Sequence, residues 1–177
     1  TGVRFGMMVF NYEQGGRLVA PCGTDKATLL SRVAGASADG WTPLAETLAE
    51  AGLYFAGKPS WFNSGVTYTS PMQERCQKNY IILMTDGEPT KDRDHQLYDT
   101  AYINGDIIGD YDGDHNGGSE FDSYPDSGSD YLDDVAKYLY ENDCNPSMGD
   151  GTSFDKQNIT TFTIGFKTNQ SLLQRTA

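Results

Sequence analysis

The sequence predicts an α/β domain with a mainly parallel sheet, helices on both faces and one short antiparallel edge strand. Strand-like and helix-like segments alternate along the chain, as in parallel sheets with crossover helices. Residues 79–85 include five consecutive apolar residues, which is typical of a strand buried on both faces of such a sheet. This strand ends at Asp86-Gly87. Open α/β sheets bind ligands at the carboxyl ends of their strands, so the same segment also predicts a site.

The elements before this strand are two short strands and two helices. Asp25 can cap the first helix, while Thr42 can cap the second and Pro43 suits its first helical position. The two short strands flank a Gly-Gly pair and are expected to form a hairpin, which supplies the antiparallel edge. The four predicted segments cover residues 3–10, 17–20, 25–33 and 42–55.

The elements after this strand are a long polar insertion, a helix, a strand and a last helix. The strand is rich in β-branched and aromatic residues, which favour extended backbone. These segments cover residues 91–129, 130–141, 159–166 and 171 onward. A chain of 177 residues is sufficient for one domain with its own core, so we expect a single domain over 1–177. The absence of an initiator Met before Thr1 suggests a processed or partial polypeptide.

The charge of the chain restricts its partners. The net charge is −12 at pH 7, which argues against nucleic acid, whose phosphates attract Lys and Arg. It also argues against adhesion to anionic lipid. No stretch is long and apolar enough to predict a transmembrane segment. We therefore expect a surface or secreted protein, or one that binds hard cations.

The three cysteines lie far apart and form no Cys-x-x-Cys pair, so a structural zinc site is not expected. Two states remain open: three free thiols, or one disulfide with one remaining thiol in an oxidising compartment. If a disulfide forms, Cys22 and Cys76 are the candidate pair, because Cys22 follows one predicted strand and Cys76 precedes another.

The insertion contains a run of carboxylates at alternate positions, in the segment Asp-Tyr-Asp-Gly-Asp-His-Asn-Gly over residues 110–117. A tight turn brings such side chains together around one cation, as in calcium loops. A register that begins at Asp112 places Gly117 at the sharp turn, whereas one that begins at Asp110 has no glycine there. The candidate Ca²⁺ ligands are Asp110, Asp112, Asp114, Asn116, Glu120 and Asp122.

A solvated acidic loop is the alternative interpretation of this segment. Residues 106–134 hold ten carboxylates and no Lys or Arg, and like charges repel unless water or cations neutralise them. Carboxylates at alternate positions, together with a glycine at the turn, favour Ca²⁺ binding over a solvated acidic loop. Charge alone does not require either feature.

Thr42 and Asp86 form a second candidate metal site. One residue begins a helix and the other ends a strand, so both are expected on the same rim of the sheet. A hydroxyl and a carboxylate are hard oxygen ligands, suited to Mg²⁺ or Ca²⁺. The alternative is that Thr42 is only a helix cap and Asp86 only a turn residue.

The runs 40–44 (Gly-Trp-Thr-Pro-Leu) and 81–87 (Ile-Ile-Leu-Met-Thr-Asp-Gly) resemble a von Willebrand factor A domain. The metal-ion-dependent adhesion site of that family combines a first-strand Asp-x-Ser-x-Ser motif, a Gly-x-Thr-Pro threonine and a strand-end Asp-Gly aspartate. Thr42 and Asp86 match the second and third elements. No Asp-x-Ser-x-Ser precedes the first predicted strand. The chain therefore resembles a partial A domain that lacks its first strand, and its adhesion-type site is incomplete.

Three further runs are similar to the A domain of PilY-type, type IV pilus tip-associated adhesins: 42–46 (Thr-Pro-Leu-Ala-Glu), 76–80 (Cys-Gln-Lys-Asn-Tyr) and 87–90 (Gly-Glu-Pro-Thr). This resemblance implies a non-enzymatic adhesion or assembly module that acts in pilus biogenesis and surface attachment. It implies export through the periplasm to the cell surface. The implied partners are pilus tip proteins, minor pilins, or a host or surface ligand.

Two other functions remain open at this point. One is a metal-dependent hydrolase that uses Asp86 and the acidic loop, although no residue is recognisable as a positioned base or nucleophile. The other is an A domain of an intracellular assembly factor. A Cys22–Cys76 disulfide would argue against it, because the cytosol keeps thiols reduced.

Overall fold

A computed structural model describes residues 2–115, 124, 126–149, 154–166 and 170–177. In these residues four strands and five α-helices follow the predicted order, with one short helix added inside the insertion. A 3₁₀ turn covers Pro146–Met148. The elements are β1 (Met7–Phe10), β2 (Gly16–Ala20), α1 (Lys26–Ala34), α2 (Leu44–Ala56), β3 (Asn79–Thr85), α3 (Gln96–Asp99), α4 (Tyr131–Glu141), β4 (Ile159–Gly165) and α5 (Ser171–Thr176).

Strands β1 and β2 form the predicted antiparallel hairpin, in which Phe10 pairs with Gly16. The turn closes through a hydrogen bond from the Asn11 amide to the Gly15 carbonyl, at 2.9 Å. Gly15 has a φ of +64°, and a Cβ at this position would collide with the ring of Phe62. The turn therefore requires glycine for both its backbone conformation and its packing.

Strands β3 and β4 form a parallel pair in continuous register, from Asn79 opposite Ile159 to Thr85 opposite Gly165. Helices α4 and α5 pack against β4. A parallel pair whose crossover contains a helix is the basic unit of α/β folds, so the α/β class is confirmed at this level.

The prediction that β3 is buried on both faces is wrong in this structure. Leu83 is only 6% exposed, whereas its neighbours Ile82 and Met84 are 58% and 52% exposed. Their partners in β4, Phe162 and Ile164, are also exposed. Helices cover one face of the pair, and no described residue covers the face that carries these apolar side chains.

The hydrophobic core lies mainly between α2 and α4. The insertion contributes to it, because Leu97, Tyr102, Ile103 and Ile108 are all buried. The Tyr102 hydroxyl donates to the Ala49 carbonyl at 2.6 Å. The segment predicted as a polar insertion is therefore in part a component of the core.

The first turns of α1 and α2 are capped in different ways. Asp25 accepts a hydrogen bond from the Thr28 amide at 3.0 Å, as predicted. At α2, the capping group is the buried carboxylate of Asp92, which accepts from the Ala45 and Glu46 amides at 3.0 Å each. The prediction that Thr42 caps α2 is therefore wrong, because the insertion folds back and supplies a carboxylate where the helix dipole favours one.

The two sheets share no hydrogen-bonded ladder in the described residues. Before β1, the Arg4 guanidinium donates to the Pro71 carbonyl and to Gln77 Oε1, which precede β3, at 2.6 and 2.8 Å. At the other end, Phe10 and Asp86 line one shallow pocket. Strands β1 and β3 therefore run in the same direction. No described strand lies between them, and the resemblance to an A domain without its first strand stays a prediction.

Candidate metal centre

Three carboxylates of the acidic loop converge. Asp110, Asp112 and Asp114 each offer an oxygen, and these oxygens lie within 4.8 Å of one another. Since Ca²⁺ binds oxygens at about 2.3–2.6 Å, one ion can contact oxygens with this spacing. Among the described residues, this is the single group of three or more His, Cys, Asp or Glu ligands that meets this distance.

Hydrogen bonds within the loop produce this convergence. Asp110 Oδ1 accepts from the amides of Gly113 and His115, at 3.1 and 3.4 Å. Asp112 Oδ1 accepts from the Asp114 amide at 3.0 Å. Such side-chain-to-backbone bonds are typical of Asp-rich turns, and they direct alternate side chains toward one point.

The backbone favours the register that begins at Asp110. Its sixth position, where calcium loops carry a glycine at the sharp turn, is His115, which has a φ of +63°. Histidine enters this left-handed region more readily than most residues, so the turn forms without the glycine whose absence counted against this register. The remaining candidate ligands, Asn116, Glu120 and Asp122, lie outside the described residues.

Two buried carboxylates in the first turn of α4 lie next to the loop. Asp134 is 1% exposed, and its Oδ1 accepts from the Asp112 amide at 3.1 Å. Burial raises the pKa of Asp134 to about 7, with hydrogen bonds from loop amides opposing the rise and repulsion from Asp133 and Asp112 adding to it. Asp133 accepts from Arg175 Nε at 2.6 Å.

Sequence reasoning missed the contact between α4 and the loop. Acidic residues are common in the first turn of a helix because they interact favourably with its dipole, so Asp133 and Asp134 gave no specific signal. Their place at the end of the acid-rich stretch 106–134 was the available indication.

The second candidate site lies near the carboxyl end of β3. The Thr42 amide donates to Thr90 Oγ1 at 2.9 Å, and the Thr90 amide donates to the Thr42 carbonyl at 3.0 Å. These bonds join the start of α2 to the segment that follows β3. Asp86 is exposed at the strand end, beside Phe10 and Phe166. In the described residues Asp86 belongs to no group of three acidic, His or Cys ligands, and metal binding at this rim stays a prediction.

A second buried acidic pair lies at the start of α2 and was not predicted. Glu46 accepts from the amides of Gly15 and Asp94 at 2.9 and 3.0 Å. Burial raises the pKa of Glu46 to about 7. Burial also raises the pKa of Asp92 well above its ordinary value, and repulsion from Glu46 adds to the rise. Backbone amides donate hydrogen bonds to both carboxylates. The pair therefore holds the hairpin turn, the insertion and α2 together.

The three cysteines are free thiols in this structure. The Cys22 amide donates to the Tyr54 hydroxyl at 2.8 Å, and Cys76 is exposed in the segment before β3. Burial raises the pKa of the Cys144 thiol to about 12, which makes it unreactive. The Cys22–Cys76 disulfide is not present here and stays a prediction.

No family model matches the chain, and no curated protein or solved structure is recognisably similar to it. The family resemblance therefore rests on the motifs in the sequence alone. Within the described part of the chain, no helix has both the length and the apolar character needed to cross a membrane.

Proposed function

We propose that this chain is a calcium-binding adhesion or assembly domain, and that its acidic loop over 110–122 binds the ion. The observation that carries the proposal is the convergence of Asp110, Asp112 and Asp114, with oxygens within 4.8 Å of one another. Three carboxylates at this spacing repel one another unless a cation neutralises them. Carboxylate oxygens are also the ligands that Ca²⁺ prefers in proteins.

The adhesion part of the proposal rests on the sequence motifs around Thr42 and Asp86. The hydrogen bonds between Thr42 and Thr90 support it, because they join the threonine motif to the segment that follows β3 and begins with Asp86. We infer that this rim binds Mg²⁺ or Ca²⁺ when an Asp-x-Ser-x-Ser segment supplies the remaining ligands. No such segment occurs in the 177 residues. An ion there accepts an acidic group from a protein partner.

The resemblance to PilY-type adhesins supports the further proposal that the module acts at the tip of a type IV pilus, outside the cell. Its proposed partners are other tip proteins, minor pilins or a surface ligand. In this proposal the domain binds and organises partners and catalyses no reaction.

Calorimetric titration with Ca²⁺ tests the loop. We expect the chelator-treated protein to bind Ca²⁺ in preference to Mg²⁺, because a multidentate carboxylate loop suits the larger ion. Asp112→Ala is expected to reduce Ca²⁺ affinity at least tenfold. Asp99→Ala is the control, since Asp99 is an exposed carboxylate on α3 that pairs with His95. A wild-type protein that binds no Ca²⁺ would refute the proposal.

Pilus assembly and surface attachment in the source organism test the biological role. We expect cells that carry Asp86→Ala in the whole protein to attach less than wild-type cells, with the protein present at the same level. Unchanged attachment and pilus number in both the Asp86→Ala and the Asp112→Ala strains would contradict a metal-dependent adhesion role.

A further inference from the structure

Strand β3 has one open edge. Among the described residues it pairs with β4 alone, and the Thr85 carbonyl accepts from the Phe166 amide at 2.9 Å. In a parallel ladder, alternate residues direct both of their backbone polar groups to the same neighbour, so Thr85 and every second residue before it face β4. Tyr80, Ile82 and Met84 therefore direct their amides and carbonyls away from β4, to the open edge.

Strand β1 also has an open edge. Among the described residues it pairs with β2 alone, and the Asn11 amide donates to the Gly15 carbonyl next to the ladder. Hydrogen-bonded and non-hydrogen-bonded pairs alternate along an antiparallel ladder, so Phe10 and Met8 belong to the non-hydrogen-bonded pairs. Their backbone polar groups therefore point away from β2.

The open edge of β1 faces toward β3. Two residues after Phe10, and on the same edge, Tyr12 forms a parallel bridge with Gly40. Two residues after that, Thr42 exchanges hydrogen bonds with Thr90, which follows β3. A single pass of the chain thus separates the ends of β1 and β3 here, which is the width of one strand.

The rest of the interval between β1 and β3 has the same character. At the amino ends, side chains join the two segments, because the Arg4 guanidinium donates to Gln77 Oε1 at 2.8 Å. Two long side chains in contact at their tips can span the roughly 10 Å between strands that flank a third. Helix α2 packs against β1, β2 and α4, and α4 packs against β4, so one helix layer covers both sheets.

The side chains beside the interval are apolar on both faces. On the core side, Met8 of β1 and Ile81 of β3 pack against the hydrophobic core. On the other side, Ile82 and Met84 of β3 are exposed. A strand in this position therefore needs apolar side chains on both faces, as the central strands of parallel sheets have.

We propose that the open edges of β1 and β3 together bind one extended, apolar polypeptide segment from outside these 177 residues, as a strand between them. The segment pairs with β1 along one edge and with β3 along the other, and the two small sheets become one. A described strand of a second copy does not fit, because the inserted strand needs two free edges and each described strand already uses one. This inference does not require Ca²⁺ at the acidic loop.

Amide hydrogen exchange, measured by NMR on the whole chain in the presence of a chelator, tests the proposal. The probe is a synthetic peptide with an apolar run of about six Val and Ile residues, a typical strand length, flanked by lysines for solubility. Bound peptide should slow exchange at least tenfold at the open-edge amides, which are those of Met8, Phe10, Tyr80, Ile82 and Met84. The amides of Ile81 and Leu83 face β4 and are the internal control, expected to change less than threefold.

Two variants at one position separate backbone pairing from apolar contact. Ile82→Pro removes an amide that faces the open edge, where a strand tolerates proline, and Ile82→Thr keeps that amide. Both variants reduce the apolar area. Fluorescence anisotropy of the labelled peptide should show binding at least tenfold weaker for Ile82→Pro than for wild type, and within threefold for Ile82→Thr. If Ile82→Pro does not fold, the exchange measurement on wild type decides.

Several outcomes would overturn the proposal. A peptide that does not bind would do so, as would protection on β3 without protection of Met8 and Phe10, since the peptide would then extend one sheet only. Protection of the same amides in concentrated protein without peptide would show that a second copy covers these edges. Because the buffer contains no free Ca²⁺, each of these results leaves the calcium-loop proposal standing.

Discussion

At the scale of single residues, His115 determines how the acidic loop turns. Its φ of +63° lies in the left-handed region, which side chains other than glycine occupy at a steric cost. His115 Nδ1 also lies 3.3 Å from Asp110 Oδ2, so the imidazole occupies space beside a proposed ligand. Both features act against cation binding at a position where calcium loops carry glycine.

His115→Gly is therefore expected to increase Ca²⁺ affinity. Glycine removes a backbone cost of about 1 kcal/mol, which corresponds to roughly fivefold in affinity if the loop becomes ordered on binding. Calorimetric titration measures the change. His115→Asn is the matched control, because asparagine removes the imidazole and keeps a side chain that tolerates positive φ. An equal gain in both variants would show that the imidazole, and not the backbone, limits binding.

At the scale of secondary-structure elements, buried carboxylates hold the start of α2 in place. Asp92 caps the helix from the insertion, and Glu46 reaches from the helix to the amides of Gly15 and Asp94. The sequence predicted the hairpin, α2 and β3, because glycine turns and apolar spacing are local signals. It did not predict these contacts, because a carboxylate from a distant segment leaves no local pattern.

Glu46 makes stability depend on pH in a direction opposite to that of a carboxylate whose pKa is lowered on folding. Burial raises its pKa from 4.5 to about 7 in the folded protein, so the folded state holds a proton that the unfolded state has released. The contribution to stability is complete below pH 4.5 and is lost as pH rises to about 7. The cause is the cost of placing a charged carboxylate where water does not reach it.

Glu46→Gln is expected to flatten the fall in the free energy of unfolding between pH 5 and pH 7. A difference of one bound proton between the folded and unfolded states changes the free energy of unfolding by about 1.4 kcal/mol per pH unit at most. Removing the Glu46 carboxyl can reduce the slope by no more than this. Urea denaturation at a series of pH values, in the presence of a chelator, measures this slope without a contribution from bound metal. Equal slopes in wild type and variant would show that Glu46 titrates normally in the folded state.

At the scale of the whole molecule, the differences from prediction share one cause: local patterns do not report what covers a surface. Strand β3 was predicted at its observed bounds, 79–85, because apolar runs and turn residues mark strand ends. The prediction that β3 is buried on both faces was wrong. An apolar run shows a preference for burial, but it does not show that another element is present to cover the strand. The contact between Asp134 and the Asp112 amide depends on packing of the same long-range kind.

The exposed face of the β3–β4 pair is expected to drive self-association of this 177-residue chain. Ile82 and Phe162 are opposite each other in the register and are 58% and 50% exposed, and adjoining apolar side chains of this size attract one another in water. Ile82→Thr keeps a β-branched side chain on the strand and reduces the apolar area. Sedimentation velocity should show a smaller associated fraction, with the free energy of unfolding changed by about 0.5 kcal/mol or less, as for a surface position.

The matched control is Leu83→Thr, one residue along and 6% exposed. It is expected to cost about 2–4 kcal/mol, because it removes core contacts and buries a hydroxyl. Similar losses of stability in the two variants would mean that both faces of β3 are covered in solution.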